Sequence, residues 1–461
     1  MTPIIFMAGY ALGLLLTFVR HPIYGLYTYF FAFYMAPSYG WWRNDVPDLR
    51  YMFIAGIAAV IASLWLPRDN SRPRFYETTP GKLFLMFVAF NWLQVMWAFD
   101  EAAQIEAATL FTKHAVSFYL IYTFANSIER IKEIAFWHVI GCGWFGYQAL
   151  GAGGGRLETI GGPVAGSNEL GVHITSGLIF GGLLLLSLRG LRRIAVFSVL
   201  PLIANCLILT ISRGAFLGFF VGGLAGYVAA PKRITKTYLI LGILGLVMVV
   251  MLSHNAMIER FTESFAAFTT EEEQVDRSAA SRVEIAKAGI KIGLAHPFGA
   301  GSTATERMSG QYLTLFETGR AAHNTLAEVF AEHGFPGLIL YVLIAIWALR
   351  TILGMRRTPV TASDELQEIS ILMTMVGGAL AAMFVSGNFS SNLGLETQYW
   401  CLALLAAVVA LRDATLQRES AVPDQPEQSE QSEQSIAKRK RYGPARTENS
   451  LTGASRRVKG S

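Results

Sequence analysis

The stretch IAVFSVLPLIANCLILTISRGAFLGFFVGGLAGYVAA, residues 194–230, decides the fold class. It contains two apolar runs, 194–211 and 214–230, separated only by Ser212 and Arg213. A hydrocarbon core about 30 Å thick takes roughly 17–25 apolar residues per helical crossing. Backbone in lipid has to satisfy its own hydrogen bonds, so such runs are helices. Two crossings joined by so short a turn predict a membrane hairpin with an arginine at its tip.

The same pattern extends in both directions. Further apolar runs fall near 3–19, 23–39, 51–67, 83–99, 105–125, 134–150, 166–188, 237–253, 337–354, 368–387 and 399–411. The first two are short, and one of them can be re-entrant. The expectation is an all-α polytopic membrane protein with about 12 transmembrane helices and one helical loop domain outside the membrane. Composition agrees: 15% of residues are charged and 52% hydrophobic, where soluble domains carry about 25% charged residues. The run from Pro3 to Val19 ends at Arg20-His21-Pro22 without a small-residue cleavage site, so it reads as a retained helix. Cys142, Cys206 and Cys401 all lie inside apolar runs and read as small buried hydrophobes, with no disulfide framework or zinc spacing. The net charge of +5 comes from basic loops and a basic tail and does not point to nucleic acid.

Orientation follows from the placement of Lys and Arg. Basic loops at Arg68–Lys82, Arg130–Lys132, Arg189–Arg193, Lys232–Lys236 and Arg350–Arg357 alternate onto one side, expected to be the cytoplasm. The other side receives 40–50, 100–104, 151–165, Ser212-Arg213, 254–322 and 388–398. The expected domains are 1–253 (N-terminal transmembrane helices), 254–336 (outer loop domain), 337–412 (C-terminal transmembrane helices) and 413–461. The last is polar, with Glu-Gln-Ser repeats over 427–435 and a basic cluster at Lys438–Arg441. It reads as a disordered cytoplasmic tail, and its basic cluster suits anionic lipid headgroups. Gly214, Gly218, Gly222 and Gly226 recur every four residues. This small-residue ridge predicts close packing on a neighbouring helix of the bundle, with homodimerisation as the alternative.

The outer segment has internal structure. Ser281-Arg282-Val283-Glu284 fits a capping box, predicting a helix from Arg282 to about Leu294 that stops before Pro297. A glycine turn follows at Gly299 and Gly301. Asn324 and Thr325 offer caps for another helix that ends near Gly334-Phe335-Pro336, with Glu328 as a capping residue. Three side chains stand out. Arg213 sits at membrane depth on the side poor in basic loops, where an arginine costs about 2.5–3.5 kcal/mol unless it reaches the interface or a partner. Arg282 is expected in the first turn of its helix, where the dipole favours an anion and a guanidinium suits phosphate. His323 precedes a helix start, whose positive dipole end favours the neutral imidazole that a general base needs.

Other candidates are weaker. His114 and His173 lie in apolar runs and read as satisfied core residues. Glu271-Glu272-Glu273 reads as a solvated helix face. Gly151–Arg156 is glycine-rich but lacks the Gly-Lys-Ser/Thr ending of a phosphate-binding loop.

Taken together, these stretches resemble the O-antigen ligase and polymerase superfamily of bacterial envelope enzymes, over roughly residues 50–410. Ile211-Ser212-Arg213-Gly214 resembles its Ser-Arg-Gly turn. Ser281–Glu284 leading to His296-Pro297-Phe298-Gly299-Ala300-Gly301 resembles its Arg…Pro-x-x-Gly-x-Gly stretch. Ala322-His323-Asn324-Thr325 followed by Glu332-His333-Gly334-Phe335-Pro336-Gly337 resembles its His-Asn…Glu-x-Gly-x-x-Gly stretch. Gly166-Ser167-Asn168-Glu169 resembles its Asn-containing turn before a mid-chain helix.

The resemblance implies a glycan transferase in the bacterial inner membrane, working on its periplasmic face. The donor would be a glycan on undecaprenyl diphosphate and the acceptor a lipid A-core sugar. A polymerase or a protein O-glycosylation ligase of the same superfamily, and more remotely a polytopic transporter, are the alternatives. No carboxylate cage for a cation was evident on the outer face, so no metal or cofactor is expected. Arg213 and Arg282 would stabilise the leaving diphosphate, and His323 would orient or deprotonate the acceptor hydroxyl. Single displacement with inversion is expected. Asn168, Asn324 and Glu332 are secondary candidates for substrate binding, and Arg320 for a phosphate contact.

Overall fold

The structure, a computed structural model, describes residues 2–67, 69–151, 156–158, 160, 162–164, 166–252, 277–313, 323–354 and 363–421. Among these the regular secondary structure is entirely helical. The N-terminal helices are α1 (Thr2–Val19), α2 (Ile23–Met35), α3 (Tyr51–Ser63), α4 (Thr79–Gln94), α5 (Glu101–Phe124) and α6 (Ile128–Ala149). The middle helices are α7 (Ser167–Ser187), α8 (Gly190–Thr210), α9 (Arg213–Ala229) and α10 (Thr235–Leu252). The last five are α11 (Arg277–Ala295), α12 (Ala304–Met308), α13 (Thr325–Gly354), α14 (Asp364–Ser386) and α15 (Glu396–Ala421). Met1–Thr415 is one compact unit, and the described part of 254–336 lies within it. Leu416–Ser461 is a second unit. Of the expected tail, residues 422–461 lie outside the described residues, as do Glu271–Glu273.

Six described helices are long and apolar enough to cross a membrane: α1, α7, α8, α13, α14 and α15. The expected count of about 12 is therefore met by these criteria only in part, and the reason is visible. The helices α3 and α9 are apolar but shorter than 18 residues. The helices α5 and α6 are long but carry charges near their starts and bury Gln104, His114, Ser117 and His138. Polar groups turned toward a bundle interior lower hydropathy without exposing charge to lipid.

The basic loops pair with acidic side chains among themselves, and the segments opposite them meet one another. At one end Glu133 accepts from Arg130 (2.9 Å), Arg192 (3.4 Å) and Tyr27 (2.8 Å). Lys132 reaches Glu129 and Glu368, and Arg233 reaches Asp364. These pairs join the basic loops to one another. At the other end the segments assigned to the outer side meet. Phe99 N donates to Ala300 O (2.8 Å), Ser302 N to Gln104 Oε1 (2.8 Å) and Leu157 N to Leu209 O (2.8 Å), while Arg307 pairs with Asp100.

The glycine ridge of α9 is used within the chain. A Cβ at Gly214 would stand 2.6 Å from Phe389 Cβ, at Gly218 2.6 Å from Ala382 O, and at Gly222 2.5 Å from Gly378 O. Three turns of α9 thus lie directly on α14, and Gly226 faces Tyr238 of α10. Close helix approach is what a small-residue ridge permits in lipid.

Two helix boundaries of the outer segment differ from expectation. The helix α11 begins at Arg277, so Ser281–Glu284 lies inside it and is not its capping box; Ala279 and Ala280 are strong helix formers and carry it backward. Arg282 is consequently in the second turn, not the first. The cap of α13 is Asn324, whose Oδ1 accepts from Ala327 N at 3.0 Å, and Glu328 is not a capping residue. The expected stop at Gly334 is a break, after which the chain resumes as a helix to Gly354.

Candidate active site

The site grows from the turn at the tip of the α8–α9 hairpin. Ile211 adopts a left-handed conformation (φ 49°) that reverses the chain. Ser212 caps α9 by accepting from Ala215 N at 3.4 Å, which makes Arg213 the first helical residue. The Ser212 hydroxyl also donates to Asn168 Oδ1 at 2.9 Å, tying the start of α7 to this turn. Arg156 spans both: Nη2 donates to Asn168 Oδ1 (3.3 Å) and Nε to Thr210 O (3.1 Å). Asn168 thus acts on the backbone turn that presents Arg213. Arg156 was not singled out in the sequence, because its neighbours are a run of glycines that carry no helical pattern.

A second turn, Ser386–Asn392 after α14, gathers the remaining parts. Ser386 Oγ donates to Gly214 O at 3.0 Å, and Phe389 packs on Gly214. From the other side Thr325 N donates to Gly387 O (2.6 Å) and Thr325 Oγ1 to Ser390 O (3.0 Å). Asn392 N donates to Thr325 Oγ1 (2.9 Å) and Asn324 Nδ2 to Asn388 O (3.4 Å). Gly214, next to Arg213, and Asn324-Thr325, next to His323, more than a hundred residues apart in sequence, therefore hold one turn between them. Arg213 and His323 are both half-buried.

Backbone strain concentrates at the same end. The described non-glycine residues with positive φ are Ala36, Ile211 (49°), Thr303 (65°) and His323 (47°). For β-branched Ile211 and Thr303 this region is a true outlier. Such strain costs about 1–3 kcal/mol per residue and persists where surrounding structure dictates it, commonly at functional sites.

A hydrogen-bonded clasp explains the glycines. The break at Gly334 (φ 61°, ψ −158°) frees carbonyls in the preceding turn of α13. The Pro297–Gly301 loop takes them up: Ala300 N donates to Ala331 O (3.1 Å) and Gly301 N to Glu332 O (2.9 Å). In return Phe335 N donates to Pro297 O at 2.9 Å. Gln94 of α4 completes the clasp, its Nε2 donating to Glu332 O and its Oε1 accepting from His333 Nδ1 (2.8 Å). Gly299 (φ 83°) and Gly301 (φ 98°) make the loop's turns. The Glu332 side chain is buried and takes backbone hydrogen bonds from Thr303 and Thr305, at the start of α12. Glu332 thus holds the start of α12 against α13.

The helix α11 lies alongside the start of α13 in parallel, with Gly289 facing Ala327 and Gly293 facing Phe330. Arg282 is two turns before Gly289 on α11, toward the end where His323 lies. Its side chain falls outside the described residues, as does Arg320 altogether. Among the described residues the acidic groups of this end do not converge as cation ligands would. The ligand-type side chains that do converge are His138, Cys142 and His173, deeper in the bundle.

This architecture defines a multi-pass helical membrane protein with a polar, strained site at one end of the bundle. Residues 196–342 match the family profile described as O-Antigen ligase. The matched segment runs from α8 to the resumed part of α13 and includes Arg213, Arg282, Arg320, His323, Asn324 and Glu332. Through this segment, about a third of the chain, the protein is similar to the O-antigen ligase family. Arg156 and Asn168 lie outside the matched segment. No curated protein matches the chain.

Proposed function

We propose that the protein transfers an O-antigen glycan from undecaprenyl diphosphate to a lipid A-core sugar, on the periplasmic face of the bacterial inner membrane. The observation that carries this reading is the shared grip of Gly214 and of Asn324-Thr325, the chain neighbours of Arg213 and His323, on the Ser386–Asn392 turn. It supports placing a phosphate-binding cation and a proton acceptor in one neighbourhood. The acceptor hydroxyl attacks the anomeric carbon and passes its proton to His323. The bond from that carbon to the diphosphate oxygen breaks, with inversion. Charge developing on the departing lipid diphosphate is met by Arg213 and Arg282, through charge-assisted bonds worth about 1.5–3 kcal/mol each. Asn168 and Arg156 hold the Arg213 turn, while Asn324 caps the helix that follows His323 and Glu332 holds the start of α12. In this scheme two guanidiniums do the work that a divalent cation does elsewhere.

The test is transfer by the purified full chain from a defined undecaprenyl diphosphate-linked glycan to three offered acceptors. Product on lipid A-core is expected, with His323→Ala and Arg213→Ala each lowering the rate by about 10²–10⁴-fold at unchanged melting temperature. Activity is expected to survive EDTA, and an absolute need for added Mg²⁺ or Mn²⁺ would defeat the two-arginine scheme. Product only on a second lipid-linked repeat would make the protein a polymerase, and product only on a serine or threonine peptide a protein ligase. Movement of the intact lipid-linked glycan across liposomes, with no transfer, would instead establish a transporter.

A further inference from the structure

Little more than one turn along α7 from Asn168, three helices bring a separate set of donor atoms together. Tyr34 of α2, His138 and Cys142 of α6, and His173 of α7 meet in the bundle interior, all of them buried. His138 Nε2 lies 3.8 Å from Cys142 Sγ. Tyr34 Oη lies 3.2 Å from His173 Nε2, 3.9 Å from Cys142 Sγ and 2.6 Å from His138 Nδ1. One ligand atom from each of His138, Cys142 and His173 falls within a sphere of mutual distances below 4.8 Å. None of these residues has a part in the glycosyl transfer described above, and the inference does not rest on that reading.

We propose that this cluster is a metal site for a monovalent copper ion, with Cys142 Sγ, His138 Nε2 and His173 Nε2 as ligands and the Tyr34 hydroxyl beside them. A four-coordinate ion with bonds of about 2.0–2.1 Å to nitrogen and 2.3 Å to sulfur spaces its ligand atoms by roughly 3.3–3.7 Å. Between the proposed ligands, His138 Nε2 and Cys142 Sγ stand 3.8 Å apart, close to that range, and one donor atom of His173 lies within 4.8 Å of both residues' donors, so closing on an ion calls for a shift of no more than about an ångström. The outer partners are in place. His173 Nδ1 bonds Thr397 Oγ1, which leaves Nε2 facing the cluster, and the Tyr34 hydroxyl stands 2.6 Å from His138 Nδ1, while Ser176 Oγ, 2.9 Å from His138 Nε2, gives up that nitrogen when an ion binds. Such partners fix the orientation of metal-bound imidazoles.

Charge and softness choose the ion. Thiolate and imidazole ligands favour Cu(I) and zinc over hard cations. Binding removes the Cys142 thiol proton, which leaves as a released proton, and no electron is exchanged. One thiolate with Cu⁺ is neutral, whereas one thiolate with Zn²⁺ leaves a net positive charge that is costly away from water. Without an ion the same groups close a hydrogen-bond chain from Thr397 through His173, Tyr34 and His138 to Ser176. The thiol takes part in that chain only at the long distances quoted, and it is the group that gains most from a metal.

The experiment uses the full chain purified in detergent and loaded with Cu(I) under reducing conditions, against a Cu(I) chelator. Wild type is expected to retain about one copper per chain, with X-ray absorption showing one sulfur and two nitrogen neighbours. Cys142→Ser and His173→Gln are expected to lower retention at least 100-fold, while Cys206→Ser leaves it unchanged. Retention equal in Cys142→Ser and wild type, or no copper held by wild type, overturns the proposal. Zinc held by these residues in preference to copper overturns the choice of ion. Should the variants fail to fold, the wild-type absorption spectrum decides: any ligand set without sulfur refutes the site.

Discussion

The break in α13 offers a quantitative test of how the outer loop is held. Gly334 adopts φ 61° and ψ −158°, a region open essentially to glycine. A Cβ there would overlap Pro297 O and stand 2.7 Å from Phe298 C, both backbone atoms that cannot swing aside. Gly334→Ala therefore incurs strain of about 1–3 kcal/mol. It also displaces the Pro297–Gly301 loop, whose three bonds to Ala331, Glu332 and Phe335 contribute about 0.5–1.5 kcal/mol each. The expected cost is about 3–7 kcal/mol, a large share of a typical stability of about 5–15 kcal/mol. At roughly 2 °C per kcal/mol the melting temperature of the detergent-solubilised chain should fall by about 6–14 °C in a thermal scan. Gly182→Ala is the control: nothing lies within 4 Å of its Cβ position in α7, and alanine improves helix propensity by up to about 1 kcal/mol. A Gly334→Ala protein that melts within 2 °C of wild type, with the control unchanged, would refute the clasp.

Three further outcomes are expected. Asn168→Ala removes the bonds to Ser212 and Arg156 and should slow transfer roughly 10-fold, equivalent to about 1.4 kcal/mol, at near-constant melting temperature; an unaltered rate would separate this turn from the chemistry. Gly222→Leu forces a side chain into Gly378 and Ala382 and should destabilise by about 1–3 kcal/mol, read as loss of the monodisperse peak in size exclusion, whereas Gly223→Leu, with open space around it, should not. Glu368→Gln leaves Lys132, whose side chain is 5% exposed, with Glu129 alone; because Glu368 is itself 35% exposed, solvent screening holds the expected loss to about 1–2 kcal/mol, and an unchanged melting curve would show the pair to be idle.

Much of the architecture was legible in the sequence because lipid imposes a one-dimensional rule. Apolar run length marks helices, and alternating Lys and Arg mark ends. The ridge at Gly214, Gly218, Gly222 and Gly226 announced a close contact by spacing alone, although only the structure named α14 as its partner. The capping-box reading of Ser281–Glu284 failed because a local motif competes with the helix propensity of the residues before it. Arg156 carried no local signal at all: its bonds to Thr210 and Asn168 come from segments 54 and 12 residues away.

By itself the sequence determined the all-helical membrane class, and it supplied the expected alternation of loops and the candidates Arg213, Arg282 and His323, because hydropathy, charge bias and residue type are local properties. Only the tertiary structure decided that the Arg213 turn and the His323 segment clasp one turn after α14, that Gly299, Gly301 and Gly334 serve a hydrogen-bonded loop, and that Tyr34, His138, Cys142 and His173 meet in the bundle interior. Those facts depend on which helices pack side by side. That choice is made by the summed contacts of whole helix faces, which no single stretch of chain encodes.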